Sequence, residues 1–230
     1  MSIEEIRQRI ANGELQILVN STEVCQGQVV DAGGTSHQYR IELGGNPQLA
    51  TQCDTEWAEF FGDILSHLAT LEPEQRIQAA QGLQLGGKHW DWFAKTLHYK
   101  SGSYAWFFIL INNQVQGICL ISHPTGAKLE PGEIFYVEYL STAPWNTQNP
   151  LAPKRYSGIG TLMLQSIIEY SVNTLGLKLG FNLHAIRQAE GFYKKIGMQH
   201  LPEYDKTESS GSVLKFFEIT EKATLALVAP

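Results

Sequence analysis

Residues 155–161, Arg-Tyr-Ser-Gly-Ile-Gly-Thr, place a glycine-rich turn at the start of a run with helical periodicity. Gly158 and Gly160 carry no Cβ, so an anion could approach the main chain, and the first N–H groups of a helix lack intrahelical partners. The helix dipole adds about half a positive charge at that end, and Arg155 adds a whole one. Such a turn can cradle a phosphate, although glycines before a helix also serve as plain tight turns. Two further side chains could handle protons. Glu138 sits within an otherwise hydrophobic strand pattern, where an acid is hard to account for by packing; the bland alternative is a surface carboxylate paired with a lysine. Tyr193 carries a phenol, a neutral donor at pH 7 that can protonate a departing anion. Glu133, just after Pro131-Gly132, reads as solvated.

The elements that must position these residues follow from periodicity. Residues 1 to about 50 are the least legible part: a short polar helix, then strands over 15–19 and 37–43 between glycine pairs. Asp54 reads as the cap of a helix over 54–69, with Trp57, Phe60, Phe61, Ile64, Leu65 and Leu68 on one stripe. Pro73 begins the next helix, and a third piece runs over 88–98. Strands over 104–111 and 115–122 join at Asn112-Asn113, residues that tolerate positive φ, and Pro124-Thr125-Gly126 ends the hairpin. A third strand spans 134–142, with Ile134, Tyr136, Glu138 and Leu140 on one face and Phe135, Val137 and Tyr139 on the other. The helix after the glycine turn closes near Gly176, and a last strand covers 213–219.

The order of these signals carries a resemblance. A strand ending in Leu140-Ser141-Thr142-Ala143-Pro144 precedes R-x-x-G-x-G on a helix; a strand over 178–183 and A-x-x-F-Y-x-K-x-G-M over 189–198 follow. This set resembles the GNAT superfamily of acyl-CoA-dependent N-acyltransferases, strongly over 104–198, more weakly back to 54 and not before. The resemblance implies an α/β fold with a mixed, mostly antiparallel central sheet flanked by helices, an acyltransferase domain over 51–230 and an N-terminal extension over 1–50. It also implies transfer of an acetyl group from acetyl-CoA to a primary amine by direct attack. The main chain of Leu140, Ser141 and Thr142 would hold the thioester arm, and Arg155, Tyr156, Ser157, Gly158, Ile159, Gly160 and Thr161 the pyrophosphate. Glu138 would act as base and Tyr193 as the acid that protonates the thiolate. Two departures stand out. Ile186 occupies the place of a frequent asparagine, leaving nearby His184 to replace that contact, to act as a base, or to be structural. The stretch 145–154, stiffened by two prolines, is longer than usual and would line the cleft beside the thioester. A CoA-binding module without catalysis, and an acyltransferase using a longer acyl chain or a hydroxyl acceptor, are the rival readings.

Bulk properties bound the rest. At 230 residues, 43% hydrophobic and 17% charged, the chain reads as one well-buried domain with a modest extension. No apolar run approaches the ~20 residues that span a bilayer, and the charged start lacks the form of a secretory signal, so no membrane partner and a cytoplasmic location are expected. A net charge of −6 argues against nucleic acid as a partner and favours a cationic acceptor by long-range steering. The acceptor would be a small-molecule or peptide amine, with a homodimer left open. The three cysteines lack metal or disulfide spacing and read as packing, and the scattered histidines offer no metal site. The aromatic group Trp90, Trp92, Phe93, Tyr99 and Tyr104 reads as core or as the wall of an acceptor pocket.

Overall fold

The computed structural model describes residues 2–17, 19–81, 83 and 90–229. In chain order its elements are α1 (Ile3–Ala11), β1 (Thr22–Val30), β2 (Ser36–Leu43), α2 (Pro47–Thr70), α3 (Pro73–Ala80), α4 (Trp92–His98), β3 (Tyr104–Ile111), β4 (Gln114–Gly126), β5 (Glu133–Thr142), α5 (Ile159–Asn173), β6 (Phe181–Ala185), α6 (Glu190–Lys195), β7 (Gln199–His200), β8 (Lys206–Thr207), β9 (Val213–Glu218) and α7 (Glu221–Val228). Strand order is β1-β2-β3-β4-β5-β6-β9-β7, with β8 paired to β9. The β1/β2, β2/β3, β6/β9, β7/β9 and β8/β9 pairs are antiparallel. β5 and β6 run parallel, which requires a crossover, and α5 lies in that connection. This is the mixed, mostly antiparallel sheet with helices that the resemblance implies. The chain divides into two compact units, 1–101, 106–118 and 141–160 in the first and 102–105, 119–140 and 161–230 in the second.

In the first unit, α1 opens on a capping box in which Glu5 N–H donates to the Ser2 hydroxyl and Ser2 N–H to the Glu5 carboxylate. The expected strand over 15–19 is absent among its described residues, and β1 begins only at Thr22. β1 escaped the sequence reading because Gln26, Gly27 and Gln28 interrupt its alternation. Gly27 faces Tyr39 of β2, and a Cβ there would come within 2.7 Å of the tyrosine hydroxyl oxygen. The tyrosine ring thus covers the glycine across the hairpin.

The helix expected from Asp54 starts a full two turns earlier. Asn46 caps α2, accepting from Gln48 and Leu49 N–H, and Pro47 fills the first position. Asp54 does cap a helix, but a different one: its carboxylate accepts from Trp92 and Phe93 N–H at the start of α4, beside Asp91, which accepts from Ala94 N–H. Residues 88 and 89, expected in that helix, lie outside the described residues. Trp57, Ile64 and Leu68 of the α2 stripe are buried, while Leu65 is 48% exposed. Pro73 starts α3 as expected. Trp92 and Phe93 belong to the core, so core packing is the reading that holds for them.

Asn112 and Asn113 adopt φ of 51° and 62° in the β3–β4 turn, as their types suggested. Pro124-Thr125-Gly126 does not end the hairpin; β4 runs on to Gly126, and His123 N–H donates to Ser103 carbonyl in its second half. In the second unit the strand expected over 178–183 starts later, at Phe181. Gly180 has φ of 143° with Ile219 carbonyl 3.2 Å from where its Cβ would sit, so the chain turns there before pairing. Beyond the last strand, α7 was unforeseen; Thr220 caps it by accepting from Ala223 N–H.

Candidate active site

The glycine turn belongs to the first unit and is fixed from behind. Tyr156 is 5% exposed, and its N–H donates to Asn146 Oδ1 at 3.0 Å. Its main chain also bridges to Asp31 at the tip of the β1–β2 hairpin, and Ala32 N–H donates to Arg155 carbonyl at 3.0 Å. That tip is itself rigid, because Asp31 accepts from Gly33 and Thr35 N–H and its other oxygen meets His37 Nε2 at 2.8 Å. These bonds hold the Asp31 carboxyl below its ordinary pKa, the His37 contact foremost. The first fifty residues, read as an extension, therefore brace the turn.

Gly158 has φ of +80°, a conformation that disfavours any side chain, yet a Cβ there would meet no protein atom within 4 Å. The glycine answers a backbone requirement, and the space before it is open. Ser157 and Gly158 are exposed while Ile159, the first residue of α5, is buried as the anchor. The Arg155 guanidinium lies 5.2 Å from the Trp145 ring and donates to Gln114 Oε1 at 2.8 Å. Both partners are neutral, and no carboxylate pairs with Arg155 among the described residues.

The linker before the turn departs from the sequence picture. Its two prolines are accompanied by a buried amide network. Asn146 Nδ2 donates to Gln116 Oε1 and to Gln116 carbonyl, Trp145 Nε1 donates to Gln116 Oε1, and Ala143 N–H donates to Gln116 carbonyl. Gln116 Nε2 reaches Gln114, whose own amide donates to Glu56 of α2. Gln116 sits in a strand reading as hydrophobic, and only its polar type amid apolar neighbours could have flagged it. Ser141 and Thr142, also in this unit, are half-buried at the end of β5.

The second unit carries the proton-handling candidates. Alternation along β5 puts Tyr136, Glu138 and Leu140 on one face. Tyr136 is opposite Asn182 of β6, and His184 is opposite Phe216 of β9, so all of these share that face. Glu138 is half-buried; one carboxylate oxygen accepts from the Ser122 hydroxyl at 2.7 Å, and the other has no protein partner among the described residues. His184 Nε2 faces Tyr204 carbonyl at 2.9 Å, which can only accept, so that nitrogen carries the proton. Nδ1 then accepts from the Tyr136 hydroxyl at 2.8 Å. Burial lowers the His184 pKa and raises that of Tyr136 well above the ordinary phenol range. With both nitrogens engaged, His184 is a wall of the site and not a free base.

Tyr193 is 6% exposed on α6, its ring against Phe192 and Phe217. Phe217 follows Phe216 along β9, so α6 packs on the face opposite His184. Burial pushes the Tyr193 pKa far up, and its hydroxyl makes no hydrogen bond within the described residues. It is a neutral phenol with its proton unspent. Tyr136, Phe216 and Tyr204 pack around His184 on this face. These residues lie on β5, β9 and the loop before β8, with no local pattern to unite them. Among the described residues no cluster of metal-ligating side chains occurs, and no helix is long and apolar enough to cross a membrane.

No family model and no curated protein matches the chain. Similar solved structures do exist. One, from Desulfovibrio desulfuricans and assigned to the GNAT acetyltransferases, is 13% identical over 80% of this chain and 99% of its own, with a TM-score of 0.48. RimJ of Mycobacterium smegmatis, in complex with CoA-disulfide, is 15% identical over 89% of this chain and 94% of its own, with a TM-score of 0.47. The PaiA N-acetyltransferase of Thermoplasma acidophilum, in complex with coenzyme A, is 12% identical over 78% and 98%, with a TM-score of 0.44. The solved neighbours include GNAT acetyltransferases.

Proposed function

We propose that the protein is an N-acetyltransferase that moves an acetyl group from acetyl-CoA to a primary amine by direct attack. The observation carrying this reading is the turn before α5: a left-handed Gly158, open space in front of it, and beside it Arg155, with no carboxylate partner among the described residues. N–H groups of the turn and of the first turn of α5 would receive the pyrophosphate. The main chain of Leu140, Ser141 and Thr142 would hold the thioester arm, where positioned N–H donors supply roughly 3 kcal/mol to the transition state.

The acceptor must lose a proton, since an amine of pKa near 10.4 is neutral only about once in a few thousand molecules at pH 7. The free oxygen of Glu138 takes that proton directly or through water. The amine nitrogen bonds to the acetyl carbon, the carbon–sulfur bond breaks, and Tyr193, packed on the other face but within electrostatic reach of Tyr136, gives its proton to the departing thiolate. Solvent restores the tyrosine proton. In this reading residues 51–230 carry the chemistry and 1–50 steady the turn, in a cytoplasmic enzyme. Thermal-shift measurement with millimolar acetyl-CoA tests the donor: a raised melting temperature is expected, and no shift together with no calorimetric binding would sink the assignment. Binding without thiol release against any amine would leave a CoA-binding module instead.

A further inference from the structure

The charges around Glu138 do not follow the chain's overall acidity. Lys206 lies with its ammonium 6.0 Å from the centre of the Tyr136 ring, and Lys128 with its ammonium 5.3 Å from that of Tyr204. Tyr136 and Tyr204 are the two residues that hold His184, one by its hydroxyl and one by its carbonyl. Two cations, one from the β4–β5 loop and one from β8, therefore lie over the rings of the two tyrosines that hold His184. Neither ammonium has a carboxylate partner among the described residues.

The acids of this face are otherwise engaged. Asp205 accepts from Phe216 N–H and meets His200 Nε2 at 2.9 Å. Glu218 is 1% exposed and accepts from Lys128 N–H, Leu129 N–H and Asn182 Nδ2. Of Asp205, Glu218 and Glu138, only Glu138 keeps an oxygen without a partner among the described residues, and it follows Tyr136 by two residues on the same face. Positive potential from Lys206 reaches His184, where it adds to the burial that keeps the imidazole neutral. This face therefore carries a carboxylate with a free oxygen and, over the rings of Tyr136 and Tyr204, two ammonium groups without a carboxylate partner among the described residues.

We propose that the acceptor is an amine that also carries a carboxylate, its amino group at Glu138 and its carboxylate at Lys206 and Lys128. This rests on the acyl-transfer reading and specifies its substrate class. Net charge alone favoured a cationic acceptor, but steering by the whole chain and recognition at one face are separate effects. The two lysines reject a polyamine by like-charge repulsion and favour an amino acid or the end of a short peptide.

Matched probes separate these cases. Thiol release is measured with glycylglycine and β-alanine against their carboxamides, and with spermidine, in the wild type and in the double variant Lys128→Glu/Lys206→Glu. The acids should exceed their amides in kcat/KM by about 10-fold, the scale of two partly exposed charge pairs, and the charge reversal should invert the order. Equal use of acid and amide, a preference for spermidine, or an unchanged ratio in the variant would overturn the proposal. Turnover of none of the probes would count against acyl transfer itself. The anion site is then read from the His184 side-chain NMR signals on adding β-alanine or its amide. A shift with the acid only, absent in the double variant, supports it, and no difference between the two overturns it.

Discussion

Replacing Asn146 with alanine tests whether the amide network, and not the prolines, fixes the glycine turn. The side chain is 7% exposed and makes three hydrogen bonds: Nδ2 to Gln116 Oε1 at 3.0 Å and to Gln116 carbonyl at 3.3 Å, and Oδ1 from Tyr156 N–H at 3.0 Å. Truncation does not orphan Gln116, because Trp145 Nε1 still donates to its amide oxygen and Ala143 N–H to its carbonyl. The group left without a partner is Tyr156 N–H, within a buried residue. Lost bonds contribute about 1 kcal/mol together after solvent exchange, and one orphaned buried donor costs about 1–3 kcal/mol, so a total near 2–4 kcal/mol is expected. Urea unfolding reads this directly. Asn149→Ala is the control: Oδ1 of Asn149 also accepts two main-chain N–H groups, from Leu151 and Ala152, but in the open, where water replaces it. That variant should lose no more than about 1 kcal/mol. Calorimetry should show acetyl-CoA binding weakened in the Asn146 variant and retained in the Asn149 variant. A loss below about 0.5 kcal/mol for Asn146→Ala, or equal losses for both, would refute the reasoning.

Tyr193→Phe should lower turnover by roughly 10²-fold with acetyl-CoA affinity unchanged, and without loss of stability, since the hydroxyl has no protein partner to forfeit; wild-type turnover would assign the proton to water or another group. Glu138→Gln keeps an acceptor for the Ser122 hydroxyl and removes only the charge, so one ionisation should vanish from the pH profile of kcat/KM, and an unaltered profile would make Glu138 structural. Burial lifts the Asp54 carboxyl to about 6, above its unfolded value, so the folded chain holds the proton more tightly between those limits. Stability should therefore be greatest below the unfolded pKa and fall as pH rises through about 6, by on the order of 2 kcal/mol, while Asp54→Asn lacks this slope; equal slopes in the two proteins would exclude Asp54 as the cause.

The parts legible in the sequence are those fixed by contacts near in the chain. Asn112-Asn113 announced a turn because the requirement for positive φ is met by those residues alone. The α5 stripe and the β5 alternation showed for the same reason, since periodicity records which face is buried. Asp54 was legible as a capping residue by type but not by target, because its recipients, Trp92 and Phe93, lie in another helix. The site divides in the same manner. Gly158, Glu138 and Tyr193 stood out by type and neighbours, whereas Tyr136, His184 and Tyr204 combine only through strand pairing and a loop twenty residues away. Lys128 and Lys206 were ordinary surface lysines until the fold set them over the rings of Tyr204 and Tyr136.

Anion binding by a turn depends on how much order is lost at the moment of binding. Fixing one residue's main chain costs about 1–2 kcal/mol, so a turn that orders only when a phosphate arrives forfeits several kcal/mol of its affinity. Here Arg155 is held through its carbonyl by Ala32, Tyr156 by Asp31 and by Asn146, and Ile159 by burial. Gly158 lies between these fixed points, and it already has the left-handed conformation that leads into α5. The cost of ordering is met during folding, by a hairpin and an amide network that lie outside the turn. Substitutions at Asp31 or Asn146 should therefore weaken binding as substitutions in the turn do. Because neither side chain belongs to the turn itself, their effect would separate preorganisation from direct contact.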